Sequence, residues 1–160
     1  MEVLKKTLKS YIPVDFRYTK NVKQGLKAYL ETRIFKWDTQ IQGIIKSYGK
    51  IRILDKNCRI LEESGVILVY THYTVYYYKP NLGGKLEAII KNWNSSNIGG
   101  LVDNFNAVIT CSNGCFENGT WKDINSSEIK KDLKVVFILE KIDIEGEMVR
   151  LVGRDPYVLS

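Results

Sequence analysis

Residues 78–109 read YKPNLGGKLEAIIKNWNSSNIGGLVDNFNAVI, and the alternation of apolar and polar positions in this stretch decides the fold. It opens with the turn-formers Pro80, Gly83 and Gly84. Three short segments follow, divided by further turn residues, which is how successive strands of a small barrel read. Successive strand side chains point to opposite faces. Leu86, Ala88 and Ile90 are therefore expected inside, with Lys85, Glu87 and Lys91 in water. The same alternation puts Trp93 on the outer, lysine-bearing face. Asn94 to Asn97 supply a turn, Gly99 and Gly100 permit a sharp bend, and Asp103 and Asn104 turn the chain into Phe105, Ala107 and Ile109.

Working outward toward the C-terminus, Thr110 to Asp132 is rich in Cys, Asn, Gly and Ser and is expected to be a long loop, with one short helical turn started by Ser126 or Ser127. Leu133 to Ile142 alternates again. Glu145 and Gly146 form a tight connection to Met148–Arg154. Five strands with a break between the third and fourth is the count and order of an OB-type barrel, assigned to residues 81–160.

Toward the N-terminus, residues 1–80 read as an α+β layer, one helix on an antiparallel sheet. Leu8–Phe16 is expected to be an edge strand, because Pro13 cannot donate to a ladder. Asn21 can cap a helix, with Gln24 three residues on, and Val22, Leu26, Leu30 and Ile34 form its apolar stripe. Ile41–Leu54 reads as one long strand or a bent pair, with Gly43 and Gly49 as bend points, and Arg59–Glu63 as a connection. Gly65–Lys79, GVILVYTHYTVYYYK, is dense in β-branched and aromatic residues and reads as a central strand.

Charge divides the chain unevenly. Residues 1–80 hold 15 Lys/Arg against 7 Asp/Glu, a net +8, and residues 81–160 hold 9 against 11, a net −2. The basic half is suited to an anionic partner. The N-terminus MEVLKKTLKSYIPV has no apolar core behind its lysines and no run of ~20 apolar residues occurs, so a cytosolic or nuclear address and no membrane partner are expected. Cys58, Cys111 and Cys115 are an odd number, which speaks against a disulfide framework.

Catalytic motifs are missing from the sequence. His72 is the only histidine and has no evident nucleophile partner, and Cys111 and Cys115 supply two of the four ligands a closed zinc site needs. No Walker-type loop or dinucleotide fingerprint occurs. No catalytic residue, metal or cofactor is therefore assigned. Nucleic-acid binding is the sharper reading, because barrels of this type stack bases on exposed aromatics in a basic groove. Lys85, Lys91 and Trp93 share one predicted strand face, and Phe105, Lys122 and Arg150 are candidates to join them. The alternation of Phe105 with Ala107 and Ile109 equally suits burial. Tyr76, Tyr77, Tyr78, Lys79 and Pro80 lie where the halves meet and form either a docking surface or the seam between domains.

Taken together, NVKQGLKAYLETRIF, IQGIIKSYGKIRI, GVILVYTHYTVYYYKP and KPNLGGKLEAIIKNW resemble, in order and over nearly the whole chain, the larger stalk subunit of multisubunit DNA-dependent RNA polymerases, a family shared by archaeal polymerase and eukaryotic polymerases I, II and III. The phrase SNIGGLVDNFNAVI is most similar to the polymerase I branch, through Ile98, Gly99, Leu101, Val102, Phe105, Asn106 and Ala107, with Gly100 lengthening the spacing. Members of that branch often continue past the barrel, whereas this sequence stops at Ser160, a departure for which a reduced version is one reading. The resemblance further implies a non-catalytic subunit in a nuclear, or for polymerase I nucleolar, enzyme. Its partners would be a smaller stalk subunit, the polymerase core, an initiation factor and nascent single-stranded RNA, with residues 1–80 as the docking tip domain. An independent OB-fold single-stranded RNA-binding protein and a purely structural interaction module are the competing readings of the residues.

Overall fold

The computed structural model describes residues 1–55 and 58–159. The chain divides into two compact units, Glu2–Lys79 and Pro80–Ser160. The first unit contains β1 (Val3–Asp15), the helix α1 (Val22–Glu31), β2 (Trp37–Asp38), β3 (Gly43–Ile53), β4 (Arg59–Leu61) and β5 (Val66–Tyr78). Its sheet runs β1-β5-β3-β2, with β4 also on β5, and every pairing is antiparallel. The Val/Thr/Tyr-rich β5 is central, as its composition predicts, and Pro13 lies on the edge strand β1, where a missing N–H costs no ladder bond.

Alternation sorts the two faces of this sheet. Ile67, Val69, Tyr73 and Val75 of β5 join Leu8, Ile12 and Val14 of β1 in one core, and Leu26 and Leu30 of the helix are buried in it. The helix starts where Asn21 Oδ1 accepts the Gln24 N–H at 3.2 Å, the expected cap. It ends at Glu31, so Ile34, expected on the stripe, packs on the core from beyond the last turn. Gly25 lets the helix approach closely, since a Cβ there would collide with Val14 and Tyr18.

Two upstream expectations need correction. β1 begins at Val3, well before Leu8, because β5 offers a partner along its whole length, from Val3↔Tyr78 to Asp15↔Val66. The segment after Arg59 is a strand and not a plain connection. β3 pairs with β5 only as far as Ile53↔Thr71, and β4 takes up the ladder groups this leaves on Val66–Leu68. The bend in β3 is a pair of register shifts, between Ile45 and Ser47 and between Gly49 and Ile51, the second at the predicted Gly49.

The second unit is a closed five-stranded mixed barrel of β6 (Lys85–Trp93), β7 (Asn97–Val102), β8 (Phe105–Thr110), β11 (Lys134–Glu145) and β12 (Met148–Val158). The two short strands between, β9 (Cys115–Glu117) and β10 (Thr120–Lys122), pair with each other in a separate two-stranded sheet, and Lys122 makes an isolated antiparallel bridge to Glu128. Around the barrel β6 pairs β7, β7 pairs β8, β8 pairs β12 in parallel, and β12 pairs β11, which closes on β6. This order is compatible with an OB-type barrel. Leu86 is half-buried and Ala88 and Ile90 are buried as expected, and Phe137 fills the centre. Phe137 lies against Gly153 so closely that a Cβ at that position would collide with its ring.

The loop expected from Thr110 to Asp132 contains a hairpin instead of a helical turn. β9 and β10 face each other across Asn118-Gly119, at φ of 53° and 80°. Asn-Gly is a strong two-residue hairpin signal, and the Gly/Asn/Ser density around it masked the short strands. Where a helical turn was expected at Ser126–Ser127, Asp123 organises the backbone. Its buried carboxylate accepts from the Asn125 and Ser127 N–H groups, both at 2.9 Å, and from Val158 at 2.8 Å.

Candidate nucleic-acid interface

The predicted RNA-contacting residues do not form one cluster. A register shift between Ile90 and Asn92 makes Lys91 an extra residue in β6. A bulge of this kind re-aims every side chain beyond it. Lys91 and Asn92 are both exposed, and Trp93 pairs with the fully buried Ile98, so it leaves the outer phase of Lys85 and Glu87. This corrects the simple alternation that put Trp93 in line with the lysines. The ring ends half-buried at the end of the barrel, fixed by its indole N–H donating to the Gly119 carbonyl at 2.9 Å. The hairpin thus holds Trp93, and the Asn94 carbonyl in turn accepts the Trp121 indole N–H at 2.7 Å. Trp121 is buried, its ring 5.3 Å from Phe116.

Two shallow concavities share Trp93. One, of about 250 Å³, is lined by Lys91, Asn92, Trp93 and Lys131. The other, of about 470 Å³, is lined by Asn92, Trp93, Asn94, Asn97, Ile98, Gly99 and Val108. Gly99 is needed there, because the Asn92 amide lies over it and a Cβ would collide with Asn92 Oδ1. The Asn94 carboxamide oxygen is engaged by the Ser96 and Asn97 N–H groups, both at 2.8 Å, which shapes the turn. The result is a partly exposed indole beside amides and two ammonium groups, a surface able to stack a base and meet its phosphate.

Of the other candidates, Lys91 is placed beside Trp93, with its ammonium 2.8 Å from Asp132. That hydrogen bond and charge hold the Asp132 carboxyl below the usual carboxylate range. Lys122 sits on the same hairpin that holds Trp93, 3.6 Å from Glu117. Lys85 is at the opposite end of β6, about 26 Å along the strand from Trp93, and its ammonium stands 5.7 Å from the Tyr157 ring centroid. Arg150, on β12, pairs with Asp143 at 2.9 Å. Phe105 must be withdrawn as a surface contact, because it is 3% exposed and belongs to the barrel interior. Asn92, Asn94, Asn97 and Lys131 were not singled out from sequence. The bulge that gathers them depends on strand register, although the Asn-rich turn was visible.

Among the docking candidates, Tyr77 packs half-buried on the helix-side core and Tyr78 is buried, so the Tyr78 ring is not open to a partner. Tyr76 and Pro80 are half-buried and Lys79 is exposed. Cys111 is buried, which pushes its thiol pKa up, and Cys58 and Cys115 are exposed.

No protein-family model matches the chain. Over 96% of its length it is 25% identical to "DNA-directed RNA polymerase I subunit rpa43" of Schizosaccharomyces pombe, covering 95% of that protein. It is 23% identical over 118 residues to "DNA-directed RNA polymerase I subunit RPA43" of Danio rerio. It is 29% identical over 90 residues to "Probable DNA-directed RNA polymerase I subunit RPA43" of Dictyostelium discoideum. The matches span only 30% and 24% of the latter two proteins.

Proposed function

Starting from a chain homologous to RNA polymerase I subunits named RPA43, in agreement with the resemblance read at Ile98–Ala107, we propose that it is a non-catalytic stalk subunit of that polymerase. Residues 1–80 dock on the enzyme core and residues 81–160 present the barrel to nascent RNA and to an initiation factor, with a smaller stalk subunit as heterodimer partner. The setting is the nucleus, and the nucleolus within it. The observation that carries this reading is the near end-to-end similarity to the fission yeast protein, since it spans both units and not the barrel alone. The net +8 of residues 1–80 supports docking on an acidic protein surface. Trp93, Lys91, Lys122 and Lys131 supply the RNA contact in this reading.

The test is affinity purification of the tagged chain from its own cells, followed by identification of what accompanies it. Polymerase I core subunits and one small partner in stoichiometric amounts are expected. Recovery of RNA and ribosomal proteins without polymerase subunits would overturn the assignment.

A further inference from the structure

Besides the barrel, the chain carries a second surface with the chemistry of nucleic-acid binding. The helix covers only one face of the first unit's sheet. On the opposite face the register aligns Lys9, His72 and Arg52 in one row across β1, β5 and β3. Neighbouring strands lie ~4.8 Å apart, so the row spans about 10 Å from lysine to arginine. One row further, Tyr11 lies beside Tyr70, their ring centroids 5.0 Å apart, with the Arg59 guanidinium 5.0 Å from the Tyr11 ring. In the other direction, two rows away, Lys5 aligns with Tyr76.

Lys5, Lys9, Tyr11, Arg52 and Arg59 are exposed. Along the described strand positions of this face the only carboxylate is Asp15, at its far end. It is engaged locally, accepting the Arg17 N–H at 2.9 Å with the Arg17 guanidinium 3.5 Å away. No cation of the Lys9–His72–Arg52 row has a carboxylate partner among the described residues. Lys9 and Arg52 thus stand about 10 Å apart with no carboxylate between them, and an anion lying across the row gains from both charges.

We propose that this helix-free sheet face is a second binding surface for single-stranded RNA, independent of the barrel site at Trp93. The occupant is a nucleic acid and not an acidic protein segment because of composition. Protein interfaces are depleted in lysine and centre on apolar groups, whereas this face interleaves lysine and arginine with tyrosine and histidine rings. Rows on one face recur every ~6.8 Å, so an extended strand crossing them meets Tyr11 and Tyr70, then Lys9, His72 and Arg52, and, beyond the Thr7–Thr74 row, Lys5 and Tyr76.

The experiment uses the full chain and a fluorescein-labelled oligouridylate, with anisotropy read over a series of salt concentrations. The paired variant Lys9→Gln/Arg52→Gln is compared with Lys20→Gln/Lys23→Gln, which removes the same charge from exposed positions before and at the start of the helix. The sheet-face pair is expected to weaken binding about tenfold and to flatten the slope of log affinity against log salt by about 1.4, at ~0.7 for each phosphate no longer neutralised. The control pair should leave the slope unchanged. Lys9→Arg/Arg52→Lys, which keeps both charges, should retain it. Trp93→Ala should lower affinity without flattening the slope, so failure at the barrel is distinguishable from failure here. Equal slopes for the two Gln pairs would overturn the proposal. Unchanged oligouridylate binding with abolished poly-glutamate binding would also overturn it and make the face a dock for an acidic protein segment.

Discussion

At the scale of single residues, Trp93 shows how a side chain is aimed by its backbone neighbours. Its indole N–H is committed to Gly119, so the ring can offer a partner only its face and edge carbons. Trp93→Ala is expected to cost ~1–3 kcal/mol of oligouridylate affinity, the usual cost of losing one stacked base, read by anisotropy at fixed salt. Asp123 is a different case, because its role is structural. Truncation to Ala strands three backbone N–H donors and should lower unfolding free energy by about 3 kcal/mol in a denaturant titration. Tyr48 and Tyr73 supply the pH dependence. Burial raises both phenol pKa values above their ordinary 10.0, and the Ser10 hydroxyl bonded to Tyr73 at 3.1 Å offsets part of the shift there. A raised folded-state pKa means that the folded chain holds its protons longer than the unfolded one. The stabilisation is therefore fully present below pH 10 and is lost as pH rises beyond it. Denaturation midpoints should fall above pH 10, and less steeply in Tyr48→Phe.

Among the elements, legibility followed how local the determining interaction is. The α1 cap depends on Asn21 and Gln24, three residues apart, and it was readable from sequence; Asn21→Ala should cost about 1 kcal/mol of stability in the same titration. β5 was readable because its alternation persists over most of its length. The bulge at Lys91 was not, since it exists only in the pairing of β6 with β7. Phe105 was readable in principle, as its alternation with Ala107 and Ile109 already pointed inward, and the barrel confirms that side of the reading. The Asn118-Gly119 hairpin carried a local signal that composition obscured. Gly119, at φ 80°, should tolerate Ala poorly, and loosening this turn should change Trp93 fluorescence through its bond to the Gly119 carbonyl.

For the whole molecule, the two units carry opposite charge balances, net +8 in residues 1–80 and −2 in residues 81–160. If residues 1–80 dock on polymerase, a chain lacking them should lose co-purification with the core enzyme while its barrel still binds oligouridylate. Full retention of the core would refute docking through that half. By itself the sequence determined the five barrel strands, the capped helix and the central β5, because each rests on alternation or spacing within a few residues. Only the tertiary structure decided which side chains share a surface. Trp93 joined Asn92 and Lys131 through a register shift, and Lys9 met His72 and Arg52 through pairing between strands far apart in the chain. Register between distant strands is set by the packing of both faces at once, and a single extra residue moves every side chain beyond it to the other face.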